Sequence, residues 1–246
     1  MFKGSVILVA RIKGNGLTFP KIEYVPVAAG VDQVEIETSN GNEIQSTVHV
    51  TSVPSTEDGR ALAAKVNKAA IDRIAFKHGI VIEDARITED HFSPIDSPEG
   101  TVCVSAVSTG AFVGTATVTV GVDAATIKKE LEQPTHPGEP YYGLFRSARQ
   151  SASPVEAYMH IYNLLLMLYN DSQKKVDLFI VNQDPAVPQT QQPKKKAGVM
   201  ETIYTRLRNE FAHTRVGVDL ATTKEEMVNR LGGLLALVRR AIELSP

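Results

Sequence analysis

Three side chains suited to phosphodiester chemistry fall within six positions near the end of the chain: Arg208, Asn209 and His213. A guanidinium is always charged and offers paired N–H donors to phosphate oxygens. Imidazole is the group whose charge ordinarily changes between pH 5 and 8, so it can take up a proton and return it. A primary amide both donates and accepts, and can orient either neighbour. Arg-to-His spacing alone is uninformative, because Arg73 to His78 and Arg86 to His91 repeat it. The adjacent asparagine, and the helix that carries the run, set this instance apart.

That helix is predicted from about Val199 to Arg215. At ~100° per residue, Met200, Ile203, Tyr204, Leu207 and Phe211 share one side, which reads as the core stripe. Arg208, Asn209 and His213 then face solvent, a ligand or a second subunit, and His213 lies in the last turn before Gly217, at the negative end of the helix dipole.

The elements around it are also helical. Ser153-Pro154-Val155-Glu156 reads as a capping box with proline at the first helical position, and the helix it opens is apolar on nearly every side through Tyr169, which suits the centre of a bundle. Further helices are expected at about Tyr141 to Gln150 and Lys174 to Val181. The last opens at Thr222 or Thr223 and carries the stripe Met227, Leu231, Leu234, Leu235, Val238, Ala241, Ile242. Asn182 to Gly198, rich in Gln and Pro, reads as a long mobile loop. Four or five helices with mostly short connections make an up-and-down bundle.

The first ~125 residues have a different period. Val6 to Val9, Ile22 to Val27, Val34 to Ile36, Thr47 to Val50, Val102 to Val104 and Val113 to Val122 read as strands. One helix interrupts them, opened near Thr56 and stopped at His78-Gly79. The expected class is α+β: a mainly antiparallel sheet with one long helix over residues 1–135, and an all-α bundle over 139–246. A short helix from about Asp123 to Glu132 leads into Gln133 to Pro140, whose three prolines and one glycine mark the linker.

With Arg208-Asn209 and His213 in place, residues 139–246 resemble the HEPN superfamily, whose bundles carry an Arg, four to six residues, then His, often with Asn after the Arg. Phe145-Arg146-Ser147-Ala148-Arg149, Ser153-Pro154 and Tyr158 to Tyr169 look like the opening helices of MauJ-like and related members. The resemblance implies a homodimer whose paired motifs cut RNA without a metal or other cofactor, leaving a 2′,3′-cyclic phosphate. His213 would act on the 2′-hydroxyl or leaving oxygen, Arg208 would stabilise the phosphorane, and Asn209 would position them. It further implies a setting in prokaryotic defence or stress, with an antitoxin or regulatory protein as a partner. The alternative within the same resemblance is a non-catalytic MauJ-like module whose Arg/His face is a dimer or partner surface. The N-terminal domain resembles no family.

Other residues have two readings each. Arg146, Arg149, Lys194, Lys195, Lys196 and Arg215 are the candidate contacts to an RNA backbone. Arg146 and Arg149 read equally as solvent-facing, and the three lysines as a solubilising loop tip. His160, in an apolar helix, is expected to be a hydrogen-bonded core histidine. His78 and His91, with Asp84, Glu89 and Asp90, lack the repeated spacing of a metal site. Cys103 reads as a small strand residue.

Composition narrows the remaining classes. Hydrophobic residues make up 43% and charged residues 22%, ordinary globular values, and no apolar run approaches the ~20 residues that span a bilayer. One cysteine and the lack of a signal-type N-terminus point to the cytoplasm. From Thr126 onward there are 16 basic and 13 acidic residues, against 10 and 15 before it, so the second part better suits a polyanion. No Walker loop, GxGxxG or GxSxG is present.

Overall fold

The computed structural model describes residues 1–95, 119–192, 198–213 and 217–245, and the backbone of 103–106. The chain divides into two compact units, Met1–Thr135 and His136–Pro246. The class is α+β. No helix among the described residues is long and apolar enough to cross a membrane.

Unit 1 is built on β1 (Phe2–Lys13), β2 (Gly16–Thr18), β3 (Ile22–Tyr24), β4 (Val31–Ser39) and β5 (Glu43–Val53), followed by helix α1 (Thr56–His78). Then come β6 (Val81–Ile82), β7 (Arg86–Pro94), β8 (Cys103–Ala106), β9 (Thr119–Gly121) and α2 (Ala124–Glu132). The main sheet runs β3-β4-β5-β1-β7-β8, with β6 also paired to β1. Its ladders are antiparallel, and β2 and β9 form a separate parallel pair.

Alternation sets which face is covered. Val6, Leu8, Ala10 and Ile12 on β1 and Ile44, Ser46, Val48 and Val50 on β5 are buried, while the residues that alternate with them are half-buried or exposed. Helix α1 supplies Ala63, Val66, Ala70, Ile71 and Ile74 to the same core. Ser55 caps its start by accepting from the Asp58 N–H, and Gly79 ends it in the left-handed conformation. A Cβ on Gly59 would fall 2.5 Å from the Phe92 ring, so only glycine lets the first turn approach β7 so closely. Arg60 Nε donates to the buried Asp90 at 2.7 Å across the same contact. Arg73 reaches the carbonyls of Glu130, Leu131 and Gln133 and caps the end of α2, and His78 pairs with Glu130 at 2.8 Å.

Unit 2 contains α3 (Pro140–Arg149), α4 (Pro154–Leu168) and α5 (Gln173–Gln183), then strands β10 (Gln189–Gln191) and β11 (Met200–Thr202), then α6 (Ile203–His213) and α7 (Leu220–Glu243). Helix α4 packs against each of the other four, most extensively against α7. Ser153 caps it as the motif predicts.

Four local expectations change here. The supposed loop from Asn182 contains regular structure: α5 continues to Gln183, and Gln189–Gln191 pairs antiparallel with Met200–Thr202. Helix α6 accordingly starts at Ile203 instead of Val199, so Met200 is an exposed strand residue outside the helical stripe. Helix α7 is capped by Asp219 instead of Thr222 or Thr223, because the Asp219 carboxylate accepts from the Ala221 N–H at 3.0 Å and the Thr222 hydroxyl at 2.7 Å. His160 is exposed and not in the core, since α4 turns His160, Asn163 and Met167 outward together. Of the expected strand from Val113, only Thr119–Gly121 and Val122 lie within the described residues, and the Cys103 side chain lies outside them.

Candidate functional site

Helix α6 brings its three marked residues together. Arg208 Nη1 donates to Asn209 Oδ1 at 3.0 Å and lies 3.5 Å from His213 Nε2. The Arg208 guanidinium carbon stands 6.0 Å from the centroid of the Tyr162 ring, presented by α4. Arg208 forms no ion pair with any carboxylate among the described residues. Its Nε is buried without a hydrogen-bond partner among them. His213 is exposed at the end of the helix.

Asn209 departs from the expectation of a solvent-facing residue. It is 5% exposed, and its Nδ2 donates to Glu201 Oε2 at 3.1 Å. The cause is the pair β10–β11, absent from a purely helical reading: β11 runs straight into α6 and places Glu201, itself 1% exposed, against that side of the helix. The amide is therefore held from within and is not displayed to a ligand.

Beneath this lies a second polar cluster. Asp177 Oδ1, on α5, accepts from the Thr202 N–H at 3.0 Å, the Thr202 hydroxyl at 2.7 Å and the Thr205 hydroxyl at 2.7 Å. Since Thr205 donates to Asp177, the Tyr162 hydroxyl must donate to Thr205, at 2.7 Å. Burial holds the Asp177 carboxyl above its ordinary range despite three donors, and nearby Glu201 pushes the same way. Burial also raises the Tyr162 phenol, which keeps it a neutral donor. The chain of contacts thus fixes the β11–α6 junction on which Glu201 and Arg208 both depend.

The remaining candidates are not gathered here. Arg146 is 3% exposed and therefore no surface contact for RNA, because α3 packs that side against the interior. Arg149 is half-buried, 5.9 Å from the centroid of the Phe145 ring, and burial together with the Arg239 charge lowers its affinity for its proton. Lys194, Lys195, Lys196 and Arg215 lie outside the described residues. Among the described residues no group of three or more His, Cys, Asp or Glu could hold a metal. His91 instead pairs with Glu89 at 2.7 Å.

Sequence reasoning missed Glu201, Asp177, Tyr162, Thr202 and Thr205. One signal was present: Thr202 and Thr205 stand three apart, as a hydroxyl at a helix start and the first-turn position it serves, and the Thr205 N–H lies 3.4 Å from Thr202 Oγ1. Asp177, set beside Val176, Phe179 and Ile180 on an amphipathic helix, was a second. Compared with known protein families, with curated proteins and with solved structures, the chain matches none.

Proposed function

We propose that unit 2 is a metal-independent endoribonuclease of the HEPN type, acting as a homodimer. The observation that carries this reading is the Arg208–His213 pair: a cation with no carboxylate partner among the described residues, 3.5 Å from an exposed imidazole. A phosphodiester placed against Arg208 would have its charge matched, with a proton carrier beside it.

The reaction needs two proton transfers. The 2′-hydroxyl loses its proton and its oxygen attacks phosphorus. The bond to the 5′ oxygen breaks, and that oxygen gains a proton, leaving a 2′,3′-cyclic phosphate and a free 5′-hydroxyl. One His213 can serve one transfer at a time, so a second copy of the chain supplies the second imidazole. The surplus of basic residues in the C-terminal part is consistent with a polyanionic substrate.

The test is cleavage of a labelled single-stranded RNA in EDTA, comparing wild type with His213→Ala and Arg208→Ala. Loss of at least about 100-fold in either variant is expected from removal of a proton carrier or of the phosphate cation. Equal cleavage by His213→Ala, or none by wild type under any condition tried, would count against the nuclease and leave a non-catalytic module whose Arg/His face binds a partner.

A further inference from the structure

Glu201 lies outside the Arg-Asn-His run, yet the polarity of the run depends on it. A guanidinium can only donate, so Arg208 requires an oxygen from Asn209. An ionised carboxylate can only accept, so Glu201 requires the NH2. With both neighbours in place the amide has one permitted orientation. Rotated by 180°, it would set its NH2 against the guanidinium and its oxygen against the carboxylate, two repulsive contacts in a buried setting.

We infer that Glu201 is a positioning residue for phosphate binding by Arg208, acting through the Asn209 amide, and that Asn209 itself does not touch the phosphate. This rests on the Arg208 site proposed above, though not on its catalysing a reaction. Asp177 extends the same support by holding Thr202, the residue next to Glu201, at both its N–H and its hydroxyl.

Electrostatics and positioning predict opposite signs, which makes the inference testable. Glu201 is a negative charge close to the site, near enough that it and Arg208 both act on the Tyr162 hydroxyl. By charge alone, neutralising it should tighten phosphate binding. If it positions Arg208, neutralising it should weaken binding instead.

The experiment titrates inorganic phosphate into wild type, Glu201→Gln and Glu201→Ala, following the Arg208 and Asn209 side-chain N–H signals by NMR, with RNA turnover measured in parallel. Glu201→Gln keeps an oxygen for the Asn209 amide but lets it rotate, so phosphate affinity should fall about 3-fold to 10-fold and by more in Glu201→Ala. The Asn209 NH2 signals should lose protection in the same order. Turnover, where wild type shows it, should fall mainly in kcat. Tighter or unchanged phosphate binding in a folded Glu201→Gln overturns the inference. Absence of RNA cleavage by wild type sinks the nuclease reading alone, because the phosphate titration still decides the role of Glu201.

Discussion

Arg206 and Arg208, two residues apart on α6, differ in what neutralises them. Arg206 donates to Glu210 at 3.0 Å and to Glu226 on α7, tying the two helices together, whereas Arg208 meets Asn209, the Tyr162 ring and His213. Similar cations on one helix thus divide into a structural and an available one. Arg206→Ala should lower stability by about 1–3 kcal/mol, because it removes the cation beside the buried Glu210 carboxylate and leaves it the Thr223 hydroxyl as donor. Arg208→Ala should hold its melting temperature within a few degrees and lose phosphate binding. Thermal melts beside phosphate titrations check the contrast, and a reversed pattern would refute it.

Acidity should act through Asp177. Its carboxyl binds a proton more tightly in the folded chain than in the unfolded one, chiefly because of burial. The sign follows directly: the folded state is favoured when the group is protonated, and stability is lost as pH rises from the ordinary carboxylate value through the raised one. Asp177→Asn keeps an oxygen for Thr202 and Thr205 without the buried charge. It should be at least as stable as wild type at pH 7, with the advantage closing as pH falls toward 4. Denaturant melts across that range measure it; a variant clearly weaker at pH 7 would show that the ionised form is needed.

Tyr162 contributes a hydroxyl and a ring, and these can be separated. Tyr162→Phe removes the donor to Thr205 while leaving the ring beneath Arg208, so about 1 kcal/mol of stability should go and phosphate affinity should hardly change. Tyr162→Leu removes the ring as well, and affinity should fall a further 2-fold to 5-fold. Identical phosphate affinities for Phe and Leu would remove the ring from the account.

In unit 1, Arg73 closes the end of α2 by holding the carbonyl groups of Glu130 and Leu131 and that of Gln133 just past it. Arg73→Ala should expose those groups and loosen α2 locally, leaving the sheet intact. Amide hydrogen exchange should then quicken in Ala124–Glu132 and stay unchanged in β1 and β5. Uniform acceleration over the whole unit would mean that Arg73 supports the sheet as well.

How far the sequence spoke depends on the range of each interaction. Helix α1 was readable at both ends, opening near Thr56 and stopping at Gly79, because caps act within one turn; the residue that caps its start is Ser55, one position before Thr56. The capping box at Ser153 was equally local. The burial of Asn209 was not readable, since it depends on Glu201 reaching it from a strand whose own partner, Gln189–Gln191, lies in a stretch that composition alone marks as loop. Arg146 shows the same limit: its position near the end of α3 suggested an exposed cation, and only packing makes it a buried one. The convergence of Arg208 and His213 followed from helical spacing, but what holds Arg208 in place came from α4, α5 and β11.

Strand β11 leads into α6 with no residue between Thr202 and Ile203. Side chains along a strand alternate with a period of two, and here Met200 points out while Glu201 points in. One residue added or removed within Val199–Ile203 would therefore turn the carboxylate to the wrong side, even with every side chain of the Arg-Asn-His run retained. Two chains identical from Arg208 to His213 can thus differ in competence by a single insertion a few residues upstream, so chain length over this stretch says as much about the site as the motif does.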